Sequence, residues 1–506
     1  MPVTCVVGSH FLLKGLSEDR RDRIVDRFSL VNPKYVKALR FGSGFTAEPP
    51  TIELAKEIGR NAVELPRGVN LEHLGLGLDH LKVTDRRIPV QDHSKNVYFK
   101  DITVSTLNRM IKLHPDQKEI VTRVWKDTRR EKKRRPYGNY LLVLPVSGGK
   151  TIAAAALAMK LRFKTIVVVH TKLIESHWVR DLNKLFGIPR SDVGRIRENV
   201  WKIGEHFTVA SVQTLFKRQR RWNELFKQFG TVILDECHVC PARTFYECIT
   251  NFPARYRIGI TGTPKRADAM HKVMYQVFGR PFYKVEDSKG ETETSIPIKD
   301  VRARMTRTKL PKELTMTITT KSGTEDIKEE SQEAPFATLL SYVVDDPKRD
   351  RMIVRDVVKC LRAGRSCLIT SSRVDHVKRL GAMIQDKTKK KGGVIVGSTP
   401  ARERSKIERR ILKREYRWLC ATIQIVSTGA NLPPLSRLFM TTPIAQEPLL
   451  KQLVGRIRRK HKSKKDAIVY DYVDDKVGLF SYLYFKKRRA TYKKLGVRRF
   501  KNLFIA

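Results

Sequence analysis

The feature that most constrains this chain is an alternation that occurs twice. Apolar runs of strand length, Tyr140–Val146, Thr165–Val169, Phe207–Ala210, Thr231–Leu234 and Tyr256–Ile260, are separated by stretches of helical character. A second series follows: Cys367–Thr370, Gly393–Val396, Leu419–Val426, Arg437–Met440 and Ala467–Asp471. Short apolar runs without polar alternation are strands buried on both faces, and the helices between them supply the crossovers of a parallel sheet. The expected fold class is therefore α/β, with two parallel-sheet domains in tandem. Residues 285–335 are rich in Thr, Lys and Glu, lack helical periodicity, and read as a linker or insertion with a β-hairpin around Leu314–Thr320. Residues 1–105 are punctuated by Val31-Asn32-Pro33, Gly42-Ser43-Gly44, Glu48-Pro49-Pro50 and Leu65-Pro66-Arg67-Gly68, and read as a small, separable α/β accessory module. Its helix is expected over Ser17–Phe28, with Ser17 as the cap. The expected domains are then 1–105, 106–284, 285–335, 336–475 and a basic, aromatic segment 476–506.

Charge narrows the partner. Among 506 residues, 101 Lys and Arg face 52 Asp and Glu, a formal net charge of +49. Such an excess on a folding chain points to a polyanion, most often nucleic acid. A membrane is disfavoured, because no apolar run, basic amphipathic helix or lipidation signal serves one. The seven scattered cysteines suit a reducing, intracellular compartment rather than a disulfide framework. Nothing in the sequence sets an oligomeric state, and a monomer is compatible with it. Basic runs lie at Lys126–Arg135 and Lys387–Lys391, and the tail from Leu479 interleaves cations with aromatics without any acidic residue. That interleaving suits single-stranded nucleic acid, but the aromatics are expected to pack on the second domain while the cations face the strand.

Four segments carry chemistry. Leu144-Pro145-Val146-Ser147-Gly148-Gly149-Lys150-Thr151 lies between a strand and an Ala-rich helix. Glycines let backbone N–H groups approach phosphates, Lys150 reaches the β/γ-phosphates of a nucleotide, and Thr151 holds Mg²⁺. Asp235-Glu236-Cys237-His238 follows the run Thr231–Leu234, where parallel sheets place ligands. Asp235 is expected to hold Mg²⁺ partly through water and Glu236 to orient the attacking water. Thr261-Gly262-Thr263-Pro264 ends another strand, where small hydroxyls can relay the state of a neighbouring carboxylate. On a helix, Gln452, Arg456 and Arg459 share one face, and arginines facing a γ-phosphate stabilise transition-state charge.

These ordered motifs resemble those of the superfamily 2 DEAD/DEAH-type helicases, in the XPB/UvsW branch, over roughly Leu113 to Asp474. His114-Pro115-Asp116-Gln117 is similar to the entry motif whose glutamine reads adenine, and Ser427–Pro433 to a second-domain motif. Leu144 stands where a glycine is usual, Cys237 takes the third place of the box, and Asn431 stands where an acid is common. The resemblance implies two RecA-like domains using ATP and Mg²⁺, with Gln117, Ser147, Gly148, Gly149, Lys150 and Thr151 at the nucleotide. It implies coupling through His238, Thr261, Thr263 and Gly429. It implies nucleic-acid contacts from Thr171, Lys172, Ser211, Thr214, Ser371 and Thr428. The expected function is an ATP-dependent helicase or translocase remodelling forked or branched DNA, with the family's usual 3′→5′ direction. An RNA helicase and an ATPase-inactive nucleic-acid-binding module are the alternatives.

Overall fold

A computed structural model describes residues 3–33, 35–36, 49–76, 81–87, 111, 113–129, 138–144, 149–262, 264, 269–284, 296–320, 323–330, 334–427 and 432–503. The described residues up to Lys284 form one compact unit and those from Ile296 onward a second.

The first unit is built on an eight-stranded sheet. Its order is Val200–Lys202, Gly194–Arg197, Phe207–Ser211, Thr165–Val169, Thr231–Asp235, Tyr256–Thr261, Asn139–Val143, Pro281–Lys284. All neighbours pair in parallel except the edge strand Val200–Lys202, which turns back antiparallel. The five expected strands are all here, and every residue of Thr165–Val169, Thr231–Asp235 and Tyr256–Thr261 is buried. Apolar character on both faces is what the helices on each side demand. The Ala-rich helix Lys150–Leu161 lies in the core on one side, and Leu225, Phe226, Phe252 and Phe278 fill the other.

The accessory module contributes a five-stranded sheet ordered Lys56–Glu57, Ala62–Pro66, His10–Lys14, Thr4–Val7, Lys82–Asp85. Helix Glu18–Arg27 packs on it, starting after Ser17, whose backbone is extended but whose hydroxyl makes no capping bond. This module is not free-standing. Phe11, Leu13 and Leu65 share a core with Met270 and Val273 of the α/β domain. Arg67, 1% exposed, bonds the Asn139 side chain and the carbonyls of Gly8 and Arg255. Asn139 returns a bond to the Arg67 carbonyl, and buried Arg257 reaches the Ser9 carbonyl. The separability expected from the turn-rich pattern is corrected by this joint core.

The second unit carries a seven-stranded, all-parallel sheet: Gly393–Ile395, Trp418–Thr422, Cys367–Ser371, Arg437–Met440, Ala467–Val473, Ile298–Met305, Phe500–Leu503. Two expectations change. The supposed linker contains Ile298–Met305, a strand of this sheet, where Val301 and Ala303 are fully buried. Its alternation of Arg and apolar residues hid it, because Arg304 pairs with Asp356 and Arg302 with Asp300. The hairpin is present as Glu313–Thr320 paired with Gly323–Glu330. The run Leu419–Val426 is not one strand: the strand is Trp418–Thr422, and Ile423–Ser427 is helical. In the tail, Phe480, Tyr484 and Tyr492 are buried, whereas Tyr482 and Phe485 are exposed.

Candidate active site

The first site forms where three strands of the first sheet end. Strand Asn139–Val143 leads towards helix Lys150–Leu161, which begins after Gly149 in the left-handed region, at φ 66°. Glycine meets no Cβ penalty there. Lys150 sits at the helix start and extends its ammonium to Glu236, with Nζ 2.6 Å from Oε1. Glu236 follows Asp235, the last residue of its strand, and takes φ 52°. A non-glycine residue in that region is strained, which is common where a side chain must be aimed.

Both carboxylates are held. Asp235 accepts the indole N–H of Trp178 at 2.8 Å through Oδ2, and the Glu236 N–H at 2.8 Å through Oδ1. Glu236 Oε2 is buried, makes no hydrogen bond, and lies 3.3 Å from His238 Nδ1. His238 Nδ1 is also 3.2 Å from the hydroxyl of Thr261, on the next strand. The chain of contacts thus runs Lys150, Glu236, His238, Thr261. Burial and the adjacent Glu236 charge push the Asp235 carboxyl up to about 6. Burial acts on Glu236 too, but the Lys150 ammonium and His238 hold it below the usual carboxylate range. Neighbouring acids driven apart in this way mark sites where one group must stay charged.

Gln117, 1% exposed, is tied into the same region. Its carbonyl accepts the His114 N–H at 3.0 Å and its amide donates to the Gly149 carbonyl at 3.4 Å. Thr151 occupies the first turn of helix Lys150–Leu161. Ser147, Gly148, Thr263, Thr428 and Gly429 lie outside the described residues. Trp178 is the residue that sequence reading missed. Its signal was a large aromatic on the buried face of helix Lys172–Phe186, whose N–H requires a buried acceptor.

The expected nucleic-acid residues divide. Thr171 caps helix Lys172–Phe186 by accepting the Ile174 N–H at 3.2 Å, and exposed Lys172 pairs with Glu198 at 2.7 Å. Ser211 lies at the end of its strand, partly exposed. Two expectations need correction. Thr214 is buried, its hydroxyl accepting the Glu198 N–H at 2.9 Å. Ser371 is fully buried and bonded to His376 Nδ1 at 3.0 Å and to the Arg373 N–H. Both position their loops rather than facing outward.

In the second unit, helix Glu447–Arg458 presents Gln452 partly exposed. Arg456 is buried, and its guanidinium donates to the carbonyls of Val426 at 2.9 Å and Ser427 at 2.7 Å. It is a strut to the neighbouring segment, which corrects its reading as a finger. Arg459 is not on the helix as expected, since the helix ends at Arg458 and Arg459 takes extended backbone, φ −57° and ψ 131°. The end is fixed by buried Lys464, whose ammonium donates to the Ile457 carbonyl at 2.8 Å and the Leu435 carbonyl at 2.9 Å.

A lysine at a helix start, paired acids at the end of the next strand but one and a histidine–threonine link are the layout of a nucleotide site of the RecA-like class. Residues 110–266 match the family described as "Type III restriction enzyme, res subunit", and residues 351–461 match "Helicase conserved C-terminal domain". The chain is 32% identical over 330 residues to "Probable helicase D10" of Escherichia phage T5. That match covers 64% of this chain and 65% of the phage protein, a little under two thirds of its length. It is 23% identical over 387 residues to "ATP-dependent DNA helicase uvsW" of Enterobacteria phage T4, covering 74% of this chain and 71% of that protein. It is also 24% identical over 464 residues to a protein of Acanthamoeba polyphaga mimivirus provisionally named ATP-dependent RNA helicase L396, covering 91% and 78%. Its fold resembles that of S. cerevisiae Dbp5 bound to RNA and ADP BeF3, with TM-score 0.51 and 11% identity, over 79% of this chain and 95% of that one. The chain belongs to the superfamily 2 helicases, in the viral branch that includes the phage T4 helicase. Among the described residues, no helix is long and apolar enough to cross a membrane.

Proposed function

We propose that this protein is a nucleic-acid-stimulated ATPase that translocates along DNA and remodels forked or branched duplexes, moving 3′→5′. The observation that carries the reading is the contact chain Lys150–Glu236–His238–Thr261, which joins a phosphate lysine to the end of a second strand. A change at the phosphate has a short path to the end of the neighbouring strand through these residues.

Mg²⁺ fits the residues present. Glu236 Oε2 is a buried oxygen without a hydrogen bond, and beside it stand an aspartate, a helix N-terminus and a lysine. Among the described residues no group of three or more His, Cys, Asp or Glu could hold a metal unaided, which suits a cation carried by phosphates. Thr151 and Asp235 would hold the ion, which would neutralise phosphate charge. Glu236 orients the attacking water and accepts its proton. Arg459 is the arginine that the helicase resemblance assigns to charge developing on the transferred phosphoryl group. Arg456 and Gln452 belong to helix Glu447–Arg458, which ends just before Arg459.

DNA is favoured by the viral relative named as a DNA helicase. RNA is the second reading, favoured by the mimivirus relative, whose match covers more of this chain. The test is ATP turnover measured side by side with single-stranded DNA, duplex DNA, forked DNA and RNA. Forked or single-stranded DNA should stimulate most. Lys150→Ala should lower turnover roughly 10²–10³-fold while leaving oligonucleotide affinity within a few-fold, because many phosphate contacts share the binding. Stimulation by RNA alone would replace the DNA reading. Turnover indifferent to every nucleic acid would remove the motor reading.

A further inference from the structure

The edge of the first sheet carries a cluster that the motifs do not account for. Strands Gly194–Arg197 and Val200–Lys202 form a hairpin beyond the parallel sheet, with its turn at Glu198 and Asn199. Glu198 takes φ 48°, in the left-handed region, and is gripped from three sides. Its carboxylate pairs with Lys172 at 2.7 Å, its N–H donates to Thr214, and its carbonyl accepts Arg218 Nη2 at 2.8 Å. The hairpin is thereby fastened both to the Thr171–Lys172 strand end and to the segment that follows Ser211.

On this hairpin stands Trp201, partly buried against the domain core. Two guanidinium carbons lie within cation–π range of its ring: Arg218 at 5.2 Å and Arg221 at 4.9 Å. Arg220 and Lys202 are exposed beside them. Among the described residues, no carboxylate forms an ion pair with Arg218, Arg220, Arg221 or Lys202. Seven cations against two acids between Arg195 and Arg221 make this a strongly positive edge.

A guanidinium resting on an indole keeps its outer N–H donors available while losing much of its rotamer freedom. Arg221 presents such a preformed fork, and Arg218, with Nη2 held on the Glu198 carbonyl, keeps its remaining donors, a geometry that suits phosphate oxygens. The position adds the direction: the cluster continues the line of Thr171, Lys172 and Ser211 to the rim of the sheet. We propose that Trp201, Arg218 and Arg221 form an additional grip on the phosphodiester backbone of one nucleic-acid strand, extending the track of the first domain outward by one or two phosphates. The inference rests on the nucleic-acid reading above. The ligand is the sugar–phosphate backbone, so the grip is indifferent to base sequence.

The test uses the full-length protein and a fluorescent single-stranded oligonucleotide of mixed sequence, titrated at several salt concentrations. Three variants are compared: Arg221→Ala, Trp201→Leu and Trp201→Phe. Loss of one phosphate contact should weaken binding about three- to tenfold at low salt. It should also flatten log K against log [salt] by about 0.7 for a single strand. Arg221→Ala should do both. Trp201→Leu, which keeps an apolar side chain on the core but removes the ring, should follow it, whereas Trp201→Phe should retain most of the affinity. ATP turnover without nucleic acid should stay at the wild-type rate in all three, and thermal melting of each variant confirms that it is folded. If Arg221→Ala and Trp201→Leu are folded and bind with the wild-type affinity and salt slope, the grip is wrong and the patch is left to an acidic protein partner. If the wild-type protein itself shows no salt-dependent oligonucleotide binding, it is the nucleic-acid reading that falls.

Discussion

At the scale of single residues, the structure separates arginines that look alike in sequence. Arg456 and Arg459 both follow the pattern of a finger helix, yet one is buried on two carbonyls and the other leaves the helix. Removing Arg456 strands the Val426 and Ser427 carbonyls, and each unsatisfied buried group costs about 1–3 kcal/mol. Arg456→Ala should therefore lower the melting temperature by several degrees as well as slowing turnover. Arg459→Ala, at a half-exposed side chain, should lower melting less than Arg456→Ala while lowering turnover by roughly 10³-fold or more, the range of a lost arginine finger. Calorimetry paired with ATPase measurement checks both. Equal melting of the two variants would contradict the strut. A wild-type rate for Arg459→Ala would move the finger elsewhere.

At the scale of elements, the tail illustrates how a basic segment can be structural. Leu483–Arg488 forms a π-helical turn that carries Arg488 inward to Asp471, with Nε 2.9 Å from Oδ2 and both side chains 1% exposed. The Tyr492 hydroxyl donates to the same oxygen at 2.8 Å. Strand Phe500–Leu503 then pairs in parallel with Ile298–Met305 and closes that side of the sheet. The tail is thus part of the second core, and only its outer face, with Tyr482, Phe485 and Lys486, meets solvent. Breaking one partner of a buried ion pair leaves an uncompensated charge, costing about 3–5 kcal/mol. Arg488→Met should destabilise the protein by about that amount in urea unfolding. Unchanged stability would show that Asp471 is protonated and needs no partner.

At the scale of the whole molecule, the accessory module and the first α/β domain share one core. Their backbones approach so closely that a Cβ on Gly68 would lie 2.5 Å from the Gly279 nitrogen and 2.6 Å from the Gln276 oxygen. These are main-chain atoms, so neither can swing aside. Gly68→Ala should cost about 1–3 kcal/mol, the usual range for overpacking. A truncated chain beginning near Asp101 would expose Met270 and Val273 and leave Arg257 and Asn139 without module partners. It should be recovered aggregated or with a clearly lowered melting temperature. A soluble truncated protein that melts at the wild-type temperature would restore the module's independence. The cavity of about 440 Å³ at this junction, lined by Arg27, Lys272, Tyr275 and Arg280, belongs to the same shared interface.

By itself the sequence determined the α/β class, the ten strands read from apolar runs, and the order of the helicase-like motifs. Each of these depends on patterns local in the chain: period, turn residues, and a glycine–lysine step between strand and helix. The meeting of Lys150 with Glu236 was foreshadowed by a lysine opening a helix after glycines and by acids closing a buried strand. Tertiary structure decided the rest. Ile298–Met305 is a buried strand because Asp356, a partner that no local window contains, neutralises Arg304, while Asp300 of the strand itself pairs with Arg302. Trp178 reaches Asp235 only because helix Lys172–Phe186 packs over the neighbouring strand. Thr214 and Ser371 turned inward, and Arg456 became a strut, because buried backbone groups nearby needed partners. Periodicity reports which residues leave water; which of them meet is set by packing between segments far apart in the chain.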